Sequence, residues 1–174
     1  MTTVEVLKEP GRAADTTSYM WLYRTGRDGP PIIVYDYQTT RASKHPRNFL
    51  KGFKGYLQVD AYEGYNGMNE ITLVACWSHA RRYFCDAIKA MPKTQKNRPT
   101  VAEEGLEYCN RLYDIEDEWK DAAWEERYKG RLERSRPVLD EFPKWLKYQA
   151  PRETPKSVLG KAIQSNIAAT SGIN

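Results

Sequence analysis

One carboxylate stands out by its position. In GYLQVDAYEGYN, residues 55–66, an alternating apolar run delivers Asp60 and then breaks into tyrosine, glycine and asparagine. A carboxylate at the end of a central strand lies at the rim where α/β sheets meet their ligands. Magnesium takes hard oxygen donors and keeps several waters, so one or two carboxylates there begin a metal site. Two such ions clamp the attacking and leaving oxygens of a phosphoryl transfer. The plainer role for Asp60 is to cap the turn over 62–66, since aspartate favours such positions.

A second group follows in CWSHARR. Cys76 closes a strand and His79 falls in the first turn of the next helix, so both share the rim of Asp60. A helix N-terminus at that place favours an anion. His79 reads either as a structural hydrogen-bonding group or as a participant in catalysis. Arg81 and Arg82 are placed to touch backbone phosphate. Tyr62 and Tyr65 could stack on an unpaired base or pack the loop. Lys51 and Lys54, just ahead of the strand, join the arginines as candidate nucleic-acid contacts.

The elements that must position these residues are legible as periodicities. Residues 2–7, 18–24 and 31–37 alternate or are rich in β-branched and aromatic residues, and are separated by KEPGR and TGRDGP. They predict an antiparallel meander. Residues 46–53 predict a short helix, 56–59 and 71–75 two further strands, 63–68 a turn, and 77–90 a helix closed by Pro92. Strand–helix alternation after a meander implies the α/β class, a mixed sheet packed with helices. Beyond the polar linker 93–99, residues 101–134 predict an amphipathic helix or helical hairpin, whose stripe of Leu106, Cys109, Leu112, Ile115 and Trp119 serves core packing. A Pro-punctuated helical piece over 136–148 and a helix beginning at 157 complete the chain.

Charge is unevenly spread. The net charge is +4, yet residues 41–99 carry 11 basic and 4 acidic side chains whereas 101–134 carry 6 and 11. The basic excess therefore surrounds Asp60, as a phosphate-facing surface or as a solvated face. Three cysteines without a Cys-x-x-Cys pair argue for a reducing compartment. Only Cys76 and His79 have ligand-like spacing, and structural zinc wants four ligands, so no zinc site is expected. No membrane-length apolar run and no secretory pattern at MTTVEVLKEP are present, so a cytoplasmic location is expected.

GFKGYLQVDAYEGYN followed by ITLVACWSHARRYFCDAIKA resembles the transposases of bacterial insertion-sequence-66 elements, DDE-type enzymes with an RNase H-like core. The likeness extends through SYMWLYRTG upstream and through RPVLDEFPKWLK and SVLGKAIQ downstream, over about residues 2–164. It implies metal-dependent DNA cleavage and strand transfer, with Mg2+ or Mn2+ as cofactor and transposon-end DNA as partner. Asp60 matches the second acid of the triad, a catalytic metal ligand. Cys76 and His79 match the Cys-x-x-His motif found after that acid in several transposase lineages. Residues 1–92 correspond to part of the core, 93–156 to a helical insertion with linkers, whose acidic segment 101–134 could fold as its own small bundle, and 157–174 to a returning core helix with an atypical tail.

The same comparison marks departures. The first acid would precede the strand that begins here at TTVEVL, where only Met1 stands, and SNIAATSGIN replaces the segment leading to the third. Asp36 and Glu63 match no triad position. The expectation is therefore a truncated chain that does not catalyse strand transfer alone, with a non-catalytic DNA-binding or partner-binding remnant as the alternative. Intact transposase and a second copy are the further expected partners.

Overall fold

The computed structural model describes residues 1–26, 29–60, 62–92 and 99–170. Residues 93–98 of the expected linker and 171–174 of the expected tail lie outside the described residues. The chain divides into two compact units, residues 1–55 with 62–71, and residues 56–61 with 72–174.

In the first unit β1 (Thr2–Glu5), β2 (Thr17–Arg24) and β3 (Ile33–Gln38) form the expected antiparallel meander, with β2 in the middle. The register sets Trp21 opposite Asp36 and Tyr23 opposite Val34. Side chains alternate along a strand, so Trp21 and Tyr23 share one face. Helix α1 (Lys44–Phe49) and a single 3-10 turn, Glu63–Tyr65, supply the aromatic groups that meet it. Phe49 stacks on Tyr23 with centroids 3.8 Å apart. Tyr62 and Tyr65 meet the Trp21 ring at 6.0 and 5.9 Å. Trp21 is fully buried, whereas Leu22 and Tyr35 on the opposite face are 48% and 64% exposed. Helix α1 ends before the predicted Phe53 because the chain turns through Gly52 at φ 84, a left-handed conformation that glycine adopts without strain.

Strands β4 (Gly55–Val59) and β5 (Ile71–Ala75) form a separate two-stranded sheet. The Gly55 N–H donates to Glu70 O at 3.1 Å, and the Cys76 N–H donates to Val59 O at 3.0 Å. Both bonds fit one register, in which the strands run parallel. The described strands thus pair as two small sheets, not as the one mixed sheet expected. The α/β class holds.

The second unit is mainly helical: α2 (Trp77–Ala90), α3 (Val101–Glu118), α4 (Trp124–Gly130), a π-helical stretch (Arg131–Ser135), α5 (Arg136–Gln149) and α6 (Val158–Thr170). Helix α3 begins in a capping box. The Thr100 hydroxyl accepts the Glu103 N–H at 3.3 Å and the Glu103 carboxylate accepts the Thr100 N–H at 2.8 Å. Cys109, Leu112 and Ile115 of the predicted stripe are buried. Helix α3 also shares its core with helices outside the acidic segment. Phe84 of α2, Cys109 of α3, Phe142 and Leu146 of α5, and Ile163 of α6 make one core. The acidity of α3 is met locally, because Arg131 forms a two-bonded pair with Glu116 at 2.6 Å and Arg134 pairs with Glu118.

Candidate functional site

The second unit gathers Asp60, Cys76 and His79 around one small recess. The bond from Cys76 N–H to Val59 O ties the ends of β4 and β5 together, so the next residue of the first strand and the cap of α2 emerge side by side. The chain enters α2 without a side-chain cap; instead Cys76 O accepts the N–H groups of His79 at 3.0 Å and Ala80 at 3.2 Å. That first turn presents His79 to the recess, which Asp60, Cys76, His79 and Tyr83 line together with Ser165 and Asn166 of α6.

Electrostatics distinguish the two ionisable partners. Burial, and then the Arg82 cation, lower the His79 pKa below the ordinary imidazole value, while the Asp60 carboxylate pulls it upward. The imidazole is therefore neutral at neutral pH, with both a donor and an acceptor nitrogen. Its Nδ1 is buried and has no hydrogen-bond partner among the described residues.

The remaining predicted residues separate. Arg81 and Arg82 are exposed on α2 in the same unit as Asp60, and Arg81 donates to Asn110 Oδ1 of α3 at 3.0 Å. Lys51, Lys54, Tyr62 and Tyr65 belong to the first unit. Lys51 is exposed, and Lys54 pairs with Glu70 in an exposed ion pair of the kind that contributes little. Tyr65 is buried against Trp21. Tyr62 is half-buried, carries the Arg41 guanidinium 3.9 Å from its ring centre and donates its hydroxyl to Arg41 O. Both tyrosines pack the loop, and that packing uses faces a base would need. Asp36 accepts from Gln38 Nε2 at 2.8 Å within the first unit.

The donor set is short for a magnesium or manganese ion, which wants several hard oxygens. Asp60 supplies one carboxylate, and among the described residues no group of three His, Cys, Asp or Glu side chains could hold a metal. The residues present do not complete such a site. The α6 contribution, Asn166 above all, went unrecognised in the sequence. The available signal was spacing, since Asn166 stands four residues after Ala162 and three after Ile163 on one helical stripe.

A strand-end carboxylate beside a histidine, within an α/β chain, belongs here to a transposase domain. Residues 1–173 match the family described as Transposase IS66 family, and the chain belongs to that family. The match reaches past residue 164 into the segment expected to be atypical, and α6 continues through it to Thr170. The chain is 30% identical over 149 residues to the uncharacterized protein y4hP of Sinorhizobium fredii (strain NBRC 101917 / NGR234), covering 75% of this chain and 27% of that protein. It is 31% identical over 174 residues to the uncharacterized protein y4qI of the same strain, covering 89% and 30%. A third relative there, the uncharacterized protein y4jD, is 28% identical over 95% of this chain and 34% of its own length. The chain thus spans about a third of the length of these curated relatives. No solved structure matches. A transposase family of this kind implies divalent-metal chemistry in general. Among the described residues no helix is long and apolar enough to cross a membrane.

Proposed function

We propose that this chain is a segment of a DDE-type transposase acting on insertion-sequence DNA, in which Asp60 is one of the carboxylates of the catalytic centre. The observation that carries the reading is the recess itself, with a strand-end carboxylate and a neutral histidine meeting in a chain of the IS66 family. An antiparallel meander followed by two parallel strands and a helix supports an RNase H-like core over residues 1–92. On the same reading 93–156 is a helical insertion and 157–174 a returning core helix.

Within this assignment Asp60 supplies negative charge at the reacting edge and His79 lies next to it as a neutral donor and acceptor. Arg81 and Arg82, one turn further along α2, and Lys51 and Lys54 in the first unit neutralise backbone phosphate. Divalent ions, Mg2+ or Mn2+, belong to the whole enzyme. The carboxylates that would complete their coordination are not gathered among the described residues, so the 174-residue chain by itself binds DNA without cutting it. Pairing with a complete transposase or with a second copy follows as a role for such a segment, and non-catalytic DNA binding is the second reading the short donor set favours.

The test combines binding and cleavage on linear DNA carrying insertion-sequence ends, with magnesium or manganese. Affinity should fall with salt in proportion to the phosphates contacted, and an Arg81→Ala, Arg82→Ala variant should lower the logarithmic salt slope by about one to two. Cleavage should be absent. Robust turnover that disappears in Asp60→Asn would overturn the inactivity of the isolated chain. Absence of any salt-dependent DNA binding would overturn the nucleic-acid reading.

A further inference from the structure

Helix α6 buries an amide where its stripe is otherwise apolar. Asn166 is 1% exposed and follows Ala162 and Ile163 on the face turned into the helical core. Its Nδ2 donates to Ala162 O at 2.8 Å and reaches Ala80 O of α2 at 3.5 Å. Both neighbours are carbonyl oxygens, so the amide cannot be turned round without setting oxygen against oxygen. Asn166 Oδ1 is thereby directed away from them, and it is buried without a partner among the described residues.

His79 Nδ1 is the other buried orphan of this recess. A buried polar atom without a hydrogen bond is costly, and two such atoms on residues that line one recess call for a shared partner. The recess between α2 and α6 has room for about one water molecule, and although its walls are mainly apolar, His79 and Asn166 are among the residues that line it.

We propose that Asn166 is a positioning residue that acts on His79 through one bound water. The water accepts a hydrogen bond from His79 Nδ1–H and donates one to Asn166 Oδ1. A chain of donors running one way is cooperative, whereas a water donating to both atoms would leave its own lone pairs unpaired in the recess. The tautomer in which Nε2 carries the lone pair is therefore favoured, and the ring meets any ligand at the rim as an acceptor. Within its own unit the charged and titratable groups around the ring are Asp60 just after β4, Cys76 at the start of α2, and Tyr83 and Arg82 on α2 itself; α6 contributes Ser165 and Asn166 there, neither of which titrates. The tautomer stands whether or not the chain meets DNA. Its bearing on transposition rests on the function proposed above.

The chain has two histidines, so nitrogen-15 NMR of the imidazoles is simple to assign, with His45→Gln identifying His79. In mildly alkaline buffer the wild-type chain should show His79 protonated at Nδ1. Asn166→Leu, which keeps the branching of the side chain and removes the acceptor, should shift the tautomer ratio toward Nε2–H by about fivefold, the equivalent of one ordinary hydrogen bond. Asn166→Asp, held as the neutral acid by its burial, donates its O–H to Ala162 O in place of Nδ2, keeps an acceptor toward the water and should retain the wild-type tautomer. A wild-type ring protonated at Nε2, or a folded Asn166→Leu chain with an unchanged ratio, overturns the proposal. If Asn166→Leu does not fold, the wild-type spectrum and Asn166→Asp decide, and loss of the Nδ1–H form in Asn166→Asp overturns it. None of these readings depends on DNA binding or cleavage, so the proposal and the functional assignment fail separately.

Discussion

The two units solve burial differently. In the helical unit Phe84, Phe142, Leu146 and Ile163, from three helices, are all fully buried, with Cys109 of a fourth among them. In the sheet unit Trp21 is the one large aromatic side chain with no exposed surface, and the far face of the meander leaves Leu22, Ile33 and Tyr35 open. Layered helices surround a side chain on every side, whereas a three-stranded sheet covered by one short helix and a turn can bury only one of its faces. The recess at Asp60 and His79 draws its walls from the helical unit. Its geometry therefore depends on the better-packed core.

Substitutions in the two cores put this contrast at risk. Phe142→Ala should cost about 3–5 kcal/mol in urea unfolding followed by helical circular dichroism. Trp21→Ala falls in the same range of about 3–5 kcal/mol, but its loss should register chiefly in near-ultraviolet aromatic signals from the sheet unit. Identical unfolding curves for the two variants would erase the distinction.

Alkaline pH tests the density of the helical core. Burial raises the Cys109 thiol pKa to about 12, which outweighs the lowering effect of Arg81. The unfolded thiol ionises first, so this stabilisation is complete below the ordinary thiol range and is lost as pH rises toward about 12. Cys109→Ala should flatten that part of the stability profile relative to wild type. Cys109 should also be alkylated more slowly than the half-buried Cys76 and Cys85.

Two smaller effects sharpen the picture at helix ends. A methyl group at Gly160 would run into the backbone carbonyl of Thr154. Gly160→Ala should therefore destabilise by roughly 1–3 kcal/mol, against the gain of up to about 1 kcal/mol that helix propensity alone predicts. A stabilised variant in thermal melting would show that the turn before α6 can yield. Thr100→Ala removes half of the capping box and should cost about 1 kcal/mol in the same measurement. A null result would mean that the first turn of α3 is held by packing alone.

What could be read from the sequence follows from how local each cause is. β5 and α2 were readable to the residue because alternation and helical spacing change abruptly at Cys76. Asp60, Cys76 and His79 could be brought together on paper because each ends or begins an element whose direction was already clear. Tyr62 and Tyr65 left two uses open, and only the tertiary position of Trp21 shows that they pack the loop. Arg131–Ser135 gave no warning of a π-helical stretch; Pro137, which lacks an N–H to donate, follows it, and the ion pairs of Arg131 and Arg134 to Glu116 and Glu118 join residues distant in sequence. Asn166 escaped because a single polar residue on a helical stripe looks like an interruption until the neighbouring helix is in place. The two-sheet arrangement was likewise invisible, because strand periodicity does not say which edges pair.

The polypeptide passes from one unit to the other after Gly55, returns after Ala61 and crosses again after Ile71. No single scission can therefore release either unit with its full complement of segments. The first unit has all its segments once residue 71 has emerged, whereas β4 waits for residues beyond 71 to gain a neighbour, so the second unit holds an early segment that must be kept for late partners. Dissecting this protein calls for permuted chains or paired fragments, and a clean proteolytic nick in that stretch would leave two pieces that still hold one another.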